Sequence, residues 1–382
     1  MKKLKVGIIG SGFIGEAHIE ALRRLNFVEV AALSEHDEKT AKKRAEELNI
    51  SKYYGDYKEL INDNNIDVIH NCTPNFLHFQ INKDVINSGK HIFSEKPLAV
   101  NSTQAEELLE IAEKNNVYHA VNFNYRHYPL VKELKNKIIN DIGNVNIVQG
   151  YYLQDWLFYD TDYNWRVDSK AGGESRAVAD IGSHWCDLMQ YVTGLSISKV
   201  FANLKTIHPY RKKPITEVRT FDKEEKDKLE YESVKVDTED YGSVLLELEN
   251  GAVGSFIVSQ VSSGHKNDLF LEVNGSRETY SWSQENANEM FIGRRDEANK
   301  TLLKDPGLLS DTAAENCYYP GGHIEGWSEA LKNSIKSFYK CILDEGVADE
   351  YSFATFNDGL KEVKITESIL KSSKEEKWID IE

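Results

Sequence analysis

Lys5-Val6-Gly7-Ile8-Ile9-Gly10-Ser11-Gly12-Phe13-Ile14-Gly15 is the stretch that decides the fold. A short apolar run is followed at once by glycines spaced G-x-G-x-x-G, then by Glu16-Ala17-His18-Ile19-Glu20-Ala21-Leu22, whose apolar residues recur with a helical period. Strand, glycines and helix in that order predict a turn in which backbone amides and a helix N-terminus hold a pyrophosphate through Gly10, Gly12, Phe13 and Ile14. A plain glycine turn is the alternative. A second strand, Val28 to Leu33, ends in Ser34-Glu35-His36, where a dinucleotide site carries a carboxylate for the ribose 2′-hydroxyl. Glu35 would repel a 2′-phosphate and favours NAD, whereas Ser34 with Lys39, Lys43 or Arg44 nearby could admit NADP. NAD is the preferred cofactor on this reading.

The alternation continues outward from there. Glu38 to Leu48 reads as a helix, Asp67 to Asn71 as a strand and Cys72-Thr73-Pro74-Asn75 as the loop at its carboxyl end. Phe76 to Ser88 is a helix stopped by Gly89. His91-Ile92-Phe93-Ser94-Glu95-Lys96-Pro97 is another short strand, ending in a carboxylate, an ammonium and a proline, and Thr103 to Lys114 and Val117 to Val121 add a helix and a strand. Strands separated by helices of this length predict an α/β domain, a doubly wound parallel sheet with helices on both faces. The loops after Ile9, Asn71 and Phe93 then open on the edge where such sheets bind ligands, which brings the glycines, Thr73, Asn75 and Lys96 together. Lys96, at the carboxyl end of a parallel strand, is the first candidate for chemistry.

The 382 residues exceed one ordinary core, and two domains are expected, 1–125 for the dinucleotide and 126–382 for substrate and oligomerisation. Hydrophobic residues at 40% and charged residues at 28% fit a soluble globular protein. A net charge of −16 speaks against a nucleic-acid partner, which requires a basic face. No apolar run is long enough for a bilayer, and Met1-Lys2-Lys3 leads into a strand instead of a signal sequence, so a cytoplasmic protein with no membrane partner is expected. Cys72, Cys186, Cys317 and Cys341 lie far apart and read as reduced thiols.

Beyond Pro129 the pattern changes. A helix from Leu130 to Ile139 precedes Val145 to Tyr152, which alternates with period two. Asp155 to Lys170 is rich in Trp, Tyr and Asp, and Trp156 and Tyr163 suit the apolar faces of a sugar ring; an ordinary aromatic core cluster is the equal alternative. Asp180 to Met189 reads as a helix with Asp180 and His184, four apart, on one face. A carboxylate and an imidazole so placed serve an alcohol oxidation, and a satisfied structural pair is the alternative. His184, Cys186 and Asp187 splay around a helix, so no metal is expected. Pro209 to Glu232 is charged and aperiodic and reads as an exposed loop, while Asn250-Gly251 and Asn274-Gly275 between apolar runs predict two hairpins. Helices Asp180 to Val192 and Glu325 to Leu343 are expected to cover one face of this second sheet. The other face is expected to bury itself in a second copy, as a homodimer or homotetramer.

Taken in order, several motifs resemble the Gfo/Idh/MocA oxidoreductases, the family of glucose-fructose oxidoreductase and inositol 2-dehydrogenase. They are Gly7 to Gly15, Cys72-Thr73-Pro74-Asn75-x-x-His78, Glu95-Lys96-Pro97, Asn122-Phe123-Asn124-Tyr125-Arg126-His127-Tyr128-Pro129, Trp165-Arg166, Ala171-Gly172-Gly173 and Asp180-Ile181-Gly182-Ser183-His184-x-x-Asp187. The resemblance spans essentially the whole chain. It implies an N-terminal Rossmann domain and a C-terminal α/β domain with a large open, mostly antiparallel sheet. It also implies a Lys-Pro peptide that is often cis, and hydride exchange between a nicotinamide ring and a sugar or cyclitol hydroxyl. It adds Cys72, His78, Glu95, Lys96, Pro97, Asn124, Trp165 and Arg166 to the expected cofactor contacts, and Arg126, Arg166 and His323 to the expected substrate contacts. His323 lies in Tyr319-Pro320-Gly321-Gly322-His323-Ile324-Glu325, for which a glycine turn with His323 capping a helix is the alternative. The departure is Ser34, where the family usually has Asp.

The expected reaction is reversible oxidation of a secondary hydroxyl on a sugar, sugar derivative or cyclitol. His184 is the expected base, since an imidazole titrates near the working pH, and Lys96 is expected to hydrogen-bond the reacting oxygen and stabilise the alkoxide. Asp180 is expected to hold the hydroxyl and the imidazole in register. Reduction of a keto-sugar is one alternative, and a non-catalytic cofactor-sensing regulatory protein is another. The presence of Lys96, Asp180 and His184 together favours the enzyme.

Overall fold

In the computed structural model, which describes residues 3–215 and 230–381, the apolar run Leu4–Ile9 is strand β1 of a six-stranded sheet. Its companions are β2 (Val28–Ser34), β3 (Lys52–Tyr54), β4 (Val68–Asn71), β5 (His91–Ser94) and β6 (His119–Val121), in the order β3-β2-β1-β4-β5-β6. Every pairing is parallel. This is the strand order of a dinucleotide-binding sheet. Both faces are covered, which is why β1 and β5 read as continuous apolar runs instead of alternating ones. On one face Val6, Ile8, Leu33 and Phe93 pack with Ile19 and Leu22; on the other, Ile9, Ile69 and Ile92 pack with Ile81, Val85 and Leu108. The helices between strands start on side-chain caps: Asp37 accepts from the Thr40 amide and Asn101 from the Gln104 amide.

The chain divides into two compact units, Met1–Tyr128 with Trp327–Val363, and Pro129–Gly326 with Lys364–Glu382. The helix Trp327–Leu343, which the sequence pattern assigns to the second sheet, instead packs on the first. Leu331, Ile335, Phe338 and Tyr339 join Val6, Leu22 and Phe93 in one core. An apolar stripe at helical spacing states that a helix must be buried but not against which sheet.

The second unit holds a nine-stranded sheet in the order Lys300–Leu303, Glu289–Gly293, Thr279–Ser283, Asp268–Gly275, Val145–Leu153, Val253–Ser259, Tyr241–Leu248, Ile197–Lys205 and Ile379–Asp380. Only the pairing of Val253–Ser259 with Val145–Leu153 is parallel; the other pairings are antiparallel. One face is apolar and buried through Val148, Tyr152, Val244, Leu246, Phe256, Leu271 and Trp282. It meets the helices Pro129–Asn140 and Ser183–Thr193.

The hairpin at Asn250-Gly251 forms as expected, with Gly251 at φ +83°. Asn274-Gly275 instead ends a strand, and the reversal falls at Ser276-Arg277, whose amides donate to the carbonyls of Asn144 and Ile142. Where a loop is expected from Pro209, Tyr210–Pro214 and Tyr231–Lys235 form a two-stranded antiparallel ribbon, and residues 216–229 lie outside the described ones. Among the described residues no helix is long and apolar enough to cross a membrane.

Candidate active site

In the first unit the glycine turn has the shape its spacing demands. Gly10 sits at φ +84°, and a Cβ on Gly15 would lie 2.1 Å from the Gly10 carbonyl oxygen, so neither position accepts a side chain. A Cβ on Gly12 would meet nothing within 4 Å, which leaves the space in front of the helix N-terminus open to a phosphate. Phe13 is exposed and Ile14 half-buried. The Ser34 side chain is buried, and its Oγ finds no partner among the described residues. Glu35 reaches the turn: its Oε1 accepts from the Ser11 amide and the Ser11 Oγ, each at 2.6 Å. Arg44 closes the far side, donating from Nε to Ser11 Oγ at 3.0 Å and pairing with Glu16 and Glu47.

The next loop of the same edge is built from Cys72, Thr73 and Asn75. Cys72 is buried, and Thr73 Oγ1 donates to Asn71 at 2.7 Å. His78, expected at the cofactor, is fully buried as a clasp between loops, with Nδ1 2.7 Å from the Pro97 carbonyl and Nε2 2.8 Å from the Thr73 carbonyl. Lys96 is half-buried just beyond β5, and the Lys96-Pro97 peptide is cis, as the resemblance implies. Asn124 is buried in the short turn Asn124–His127, and Arg126 beside it pairs with Asp358 at 3.0 Å.

Behind Lys96 lies a polar chain that sequence reasoning missed. Glu95 Oε1 meets His18 Nε2 at 3.0 Å and accepts from Asn122 at 2.6 Å. His18 Nδ1 is 2.8 Å from His70 Nδ1, and His70 Nε2 is 2.9 Å from the Tyr339 hydroxyl. Burial alone would raise the Glu95 carboxyl, but the hydrogen bond and charge of His18, the Lys96 ammonium and the Asn122 amide together hold it at about 2. Burial pulls His70 well below the usual imidazole range and pushes Tyr339 up, so both are neutral. His18 thus faces a carboxylate through Nε2 and an imidazole through Nδ1, and His70 carries the chain on to the Tyr339 hydroxyl. The signal available in the sequence was His18, three residues past Gly15 on the first helix.

In the second unit, Asp180 stands in a π turn, Val178–Gly182, that leads into the helix Ser183–Thr193 carrying His184. The sequence pattern reads as one regular helix here; π turns cluster at functional sites. Gln260 Nε2 donates to Asp180 Oδ2 at 2.8 Å, and Arg166 Nε lies 3.5 Å from Asp180 Oδ1. The Arg166 guanidinium covers the Trp165 ring at 4.4 Å. Gln260 Oε1 in turn accepts from Arg176, which is buried with Asp240 and Arg211. His184 is buried, its ring 6.4 Å from that of Tyr152. Trp156 and Tyr163 flank a small core of Leu157, Val167 and Val236, so this aromatic stretch is half core, while Phe158 and Tyr159 are exposed. His323 is exposed, stacked on Tyr319 at 6.2 Å and not at a helix cap; the loop is anchored by Glu325, buried against Lys304 at 2.7 Å.

Comparison with known proteins adds the following. Residues 4–123 match a model described as "Oxidoreductase family, NAD-binding Rossmann fold", and residues 133–281 match the "GFO/IDH/MocA C-terminal domain". Levoglucosan dehydrogenase of Pseudarthrobacter phenanthrenivorans is 28% identical, with 100% of this chain and 99% of that protein aligned. Myo-inositol 2-dehydrogenase of Thermotoga maritima is 30% identical over 52% of this chain and 58% of its own length. A solved levoglucosan dehydrogenase in complex with NADH and levoglucosan superposes with a TM-score of 0.89 at 26% identity, covering 100% of both chains.

Proposed function

We propose, from the premise that this chain belongs to the Gfo/Idh/MocA oxidoreductase family, that it oxidises a secondary hydroxyl of a sugar, anhydrosugar or cyclitol, reversibly and with NAD. The observation that carries this reading is Lys96, half-buried at the carboxyl end of β5 in a sheet whose glycine turn is open at Gly12. The residues fit a dinucleotide: Gly10, Gly12 and the helix N-terminus would hold its pyrophosphate, and Glu35 its ribose. NAD, when bound, supplies the hydride acceptor. His184 takes the hydroxyl proton, Lys96 donates a hydrogen bond to the oxygen as it gains charge, and Asp180 orients the imidazole. The preference for NAD over NADP is supported by the Glu35 carboxylate at the turn, which a 2′-phosphate would face.

Two further parts of the reading concern the setting. The four cysteines are free thiols, which supports a reducing, cytoplasmic compartment. On the outer face of the nine-stranded sheet Ile147, Leu245, Val253 and Ile257 are exposed, which supports burial against a second copy.

The test is to screen levoglucosan, myo-inositol and glucose for reduction of NAD, with NADP alongside. Turnover with one of them under NAD is expected; none with either cofactor would refute the assignment. Light scattering of wild type and Leu245→Glu checks self-association, with a drop in mass expected for the variant.

A further inference from the structure

Asp180 does not stand alone behind the chemistry assigned to it. Its Oδ2 accepts from Gln260 Nε2 at 2.8 Å, and Gln260, fully buried, accepts at Oε1 from Arg176 at 3.3 Å. Arg176 is itself held on its other sides, by Thr238 Oγ1 at 3.2 Å from Nε and by Asp240. Asp240 is pinned in turn by Arg211 at 2.7 Å and by the amides of Ile207 and His208 at 2.7 and 2.9 Å. The Asp180 amide donates to the Arg176 carbonyl at 2.7 Å, so the carboxylate and its anchor share one turn of backbone.

The chemistry of this chain runs in one direction. A guanidinium has five donors and no acceptor, so the Gln260 oxygen must face Arg176 and its NH₂ must face Asp180. A protonated Oδ2 would then set one donor against another. The other oxygen, Oδ1, faces Arg166. We propose that Gln260, locked by Arg176, is a positioning residue that keeps Asp180 a carboxylate throughout the reaction. The proton leaving the substrate hydroxyl therefore goes to His184 and never to Asp180, whose fixed negative charge stabilises the imidazolium that forms. This rests on the roles given to Asp180 and His184 above. The charged groups that face Asp180 are Arg166 directly and Arg176 through Gln260, with Glu239 next along, its carboxylate accepting from Ser175 and from the amides of Arg176 and Val178.

The experiment compares Gln260→Leu and Gln260→Glu with wild type, using levoglucosan and NAD across pH. Gln260→Leu keeps the size and removes the donor. Its kcat is expected to fall about 10- to 100-fold, the usual worth of a hydrogen bond to a charged group, with the KM for NAD unchanged. The acid limb of kcat should move to higher pH, because a carboxylate that loses a donor protonates more easily. Gln260→Glu places a second carboxyl against Asp180, so one of the pair holds a proton and the limb should move further in the same direction. A wild-type kcat and an unmoved acid limb in Gln260→Leu, folded by circular dichroism, would overturn the proposal. If Gln260→Leu fails to fold, an unmoved limb in Gln260→Glu does the same. Asp180→Asn separates the two levels: wild-type turnover in that variant removes the role of Asp180 itself, whereas loss of turnover there with normal Gln260 variants removes only the positioning role.

Discussion

Two buried polar networks stand behind the candidate catalytic groups, and they are made of different material. The one behind Lys96 runs Glu95, His18, His70, Tyr339, all groups whose protonation can change, and its single carboxylate is held by an imidazole, the Asn122 amide and the charge of Lys96, with no guanidinium among them. The one behind Asp180 runs Gln260, Arg176, Asp240, Arg211, in which the cations are guanidinium groups that never lose their protons, and its buried carboxylate has two of them. The first is a network that titrates. The second is one whose charges stay put.

That contrast breaks or sharpens under mutation. The largest effect is expected from Lys96→Ala, which removes the ammonium proposed to face the reacting oxygen and leaves the hydrogen bonds of Glu95, His18 and His70 in place: kcat should fall about 10²- to 10⁴-fold. Its melting temperature and NADH affinity, followed by protein fluorescence, should stay near wild type. His18→Leu takes the imidazole from the buried Glu95 carboxylate and leaves it the Asn122 amide and the charge of Lys96, and urea unfolding should show a loss of about 3–5 kcal/mol. Arg176→Leu is expected to cost less, about 1–3 kcal/mol, since Arg211 and two amides still hold Asp240, and the groups that lose the guanidinium are the neutral Gln260 oxygen and Thr238 hydroxyl. If Arg176→Leu proves the more damaging of the two, the contrast between a carboxylate with no guanidinium partner and one with two is wrong.

The smallest expected effect is a difference in acid sensitivity between the units. His70 is held neutral well below its ordinary 6.5, so in the unfolded chain it gains a proton that the folded one refuses. Its contribution is whole above pH 6.5 and shrinks as the pH falls. Glu95, depressed from 4.5 to about 2, contributes fully above 4.5 and loses that contribution on the way down to 2. In the other network burial would raise Asp240, but Arg176 and Arg211 bring it below its ordinary 3.8, so its contribution holds until the pH drops under 3.8. Glu239 beside it is raised by burial and so gains relative stability towards acid. Hydrogen exchange at pH 5 should therefore open peptides around His70 relative to pH 7 more than those around Asp240, with Glu95 adding to the loss only below pH 4.5.

How much of this was readable beforehand follows the same division. The glycine turn, β5 and Lys96 were legible because each depends on neighbours in the chain, a strand, a turn and a helix in order. The strand Lys52–Tyr54 was not, since three residues are too few to show a period. His18, Glu95 and Tyr339 come from distant segments, and so do Gln260 and Arg176, which lie 84 residues apart. Single polar residues of this kind carry no local pattern, and burial alone makes them matter. The ribbon at Tyr210–Pro214 was hidden by its lysines, which point to solvent on a strand as readily as on a loop.

One more consequence lies in the route of the chain, which leaves the first unit at Tyr128 and returns to it only at Trp327. On the ribosome, the nucleotide half cannot close its core until Leu331, Ile335 and Phe338 have emerged, because these are the residues that shield Val6, Leu22 and Phe93. At about 5–20 residues per second the wait is roughly ten to forty seconds. During that interval the sheet face that Ile19 and Leu22 cover only in part keeps apolar surface around Phe93 open to water.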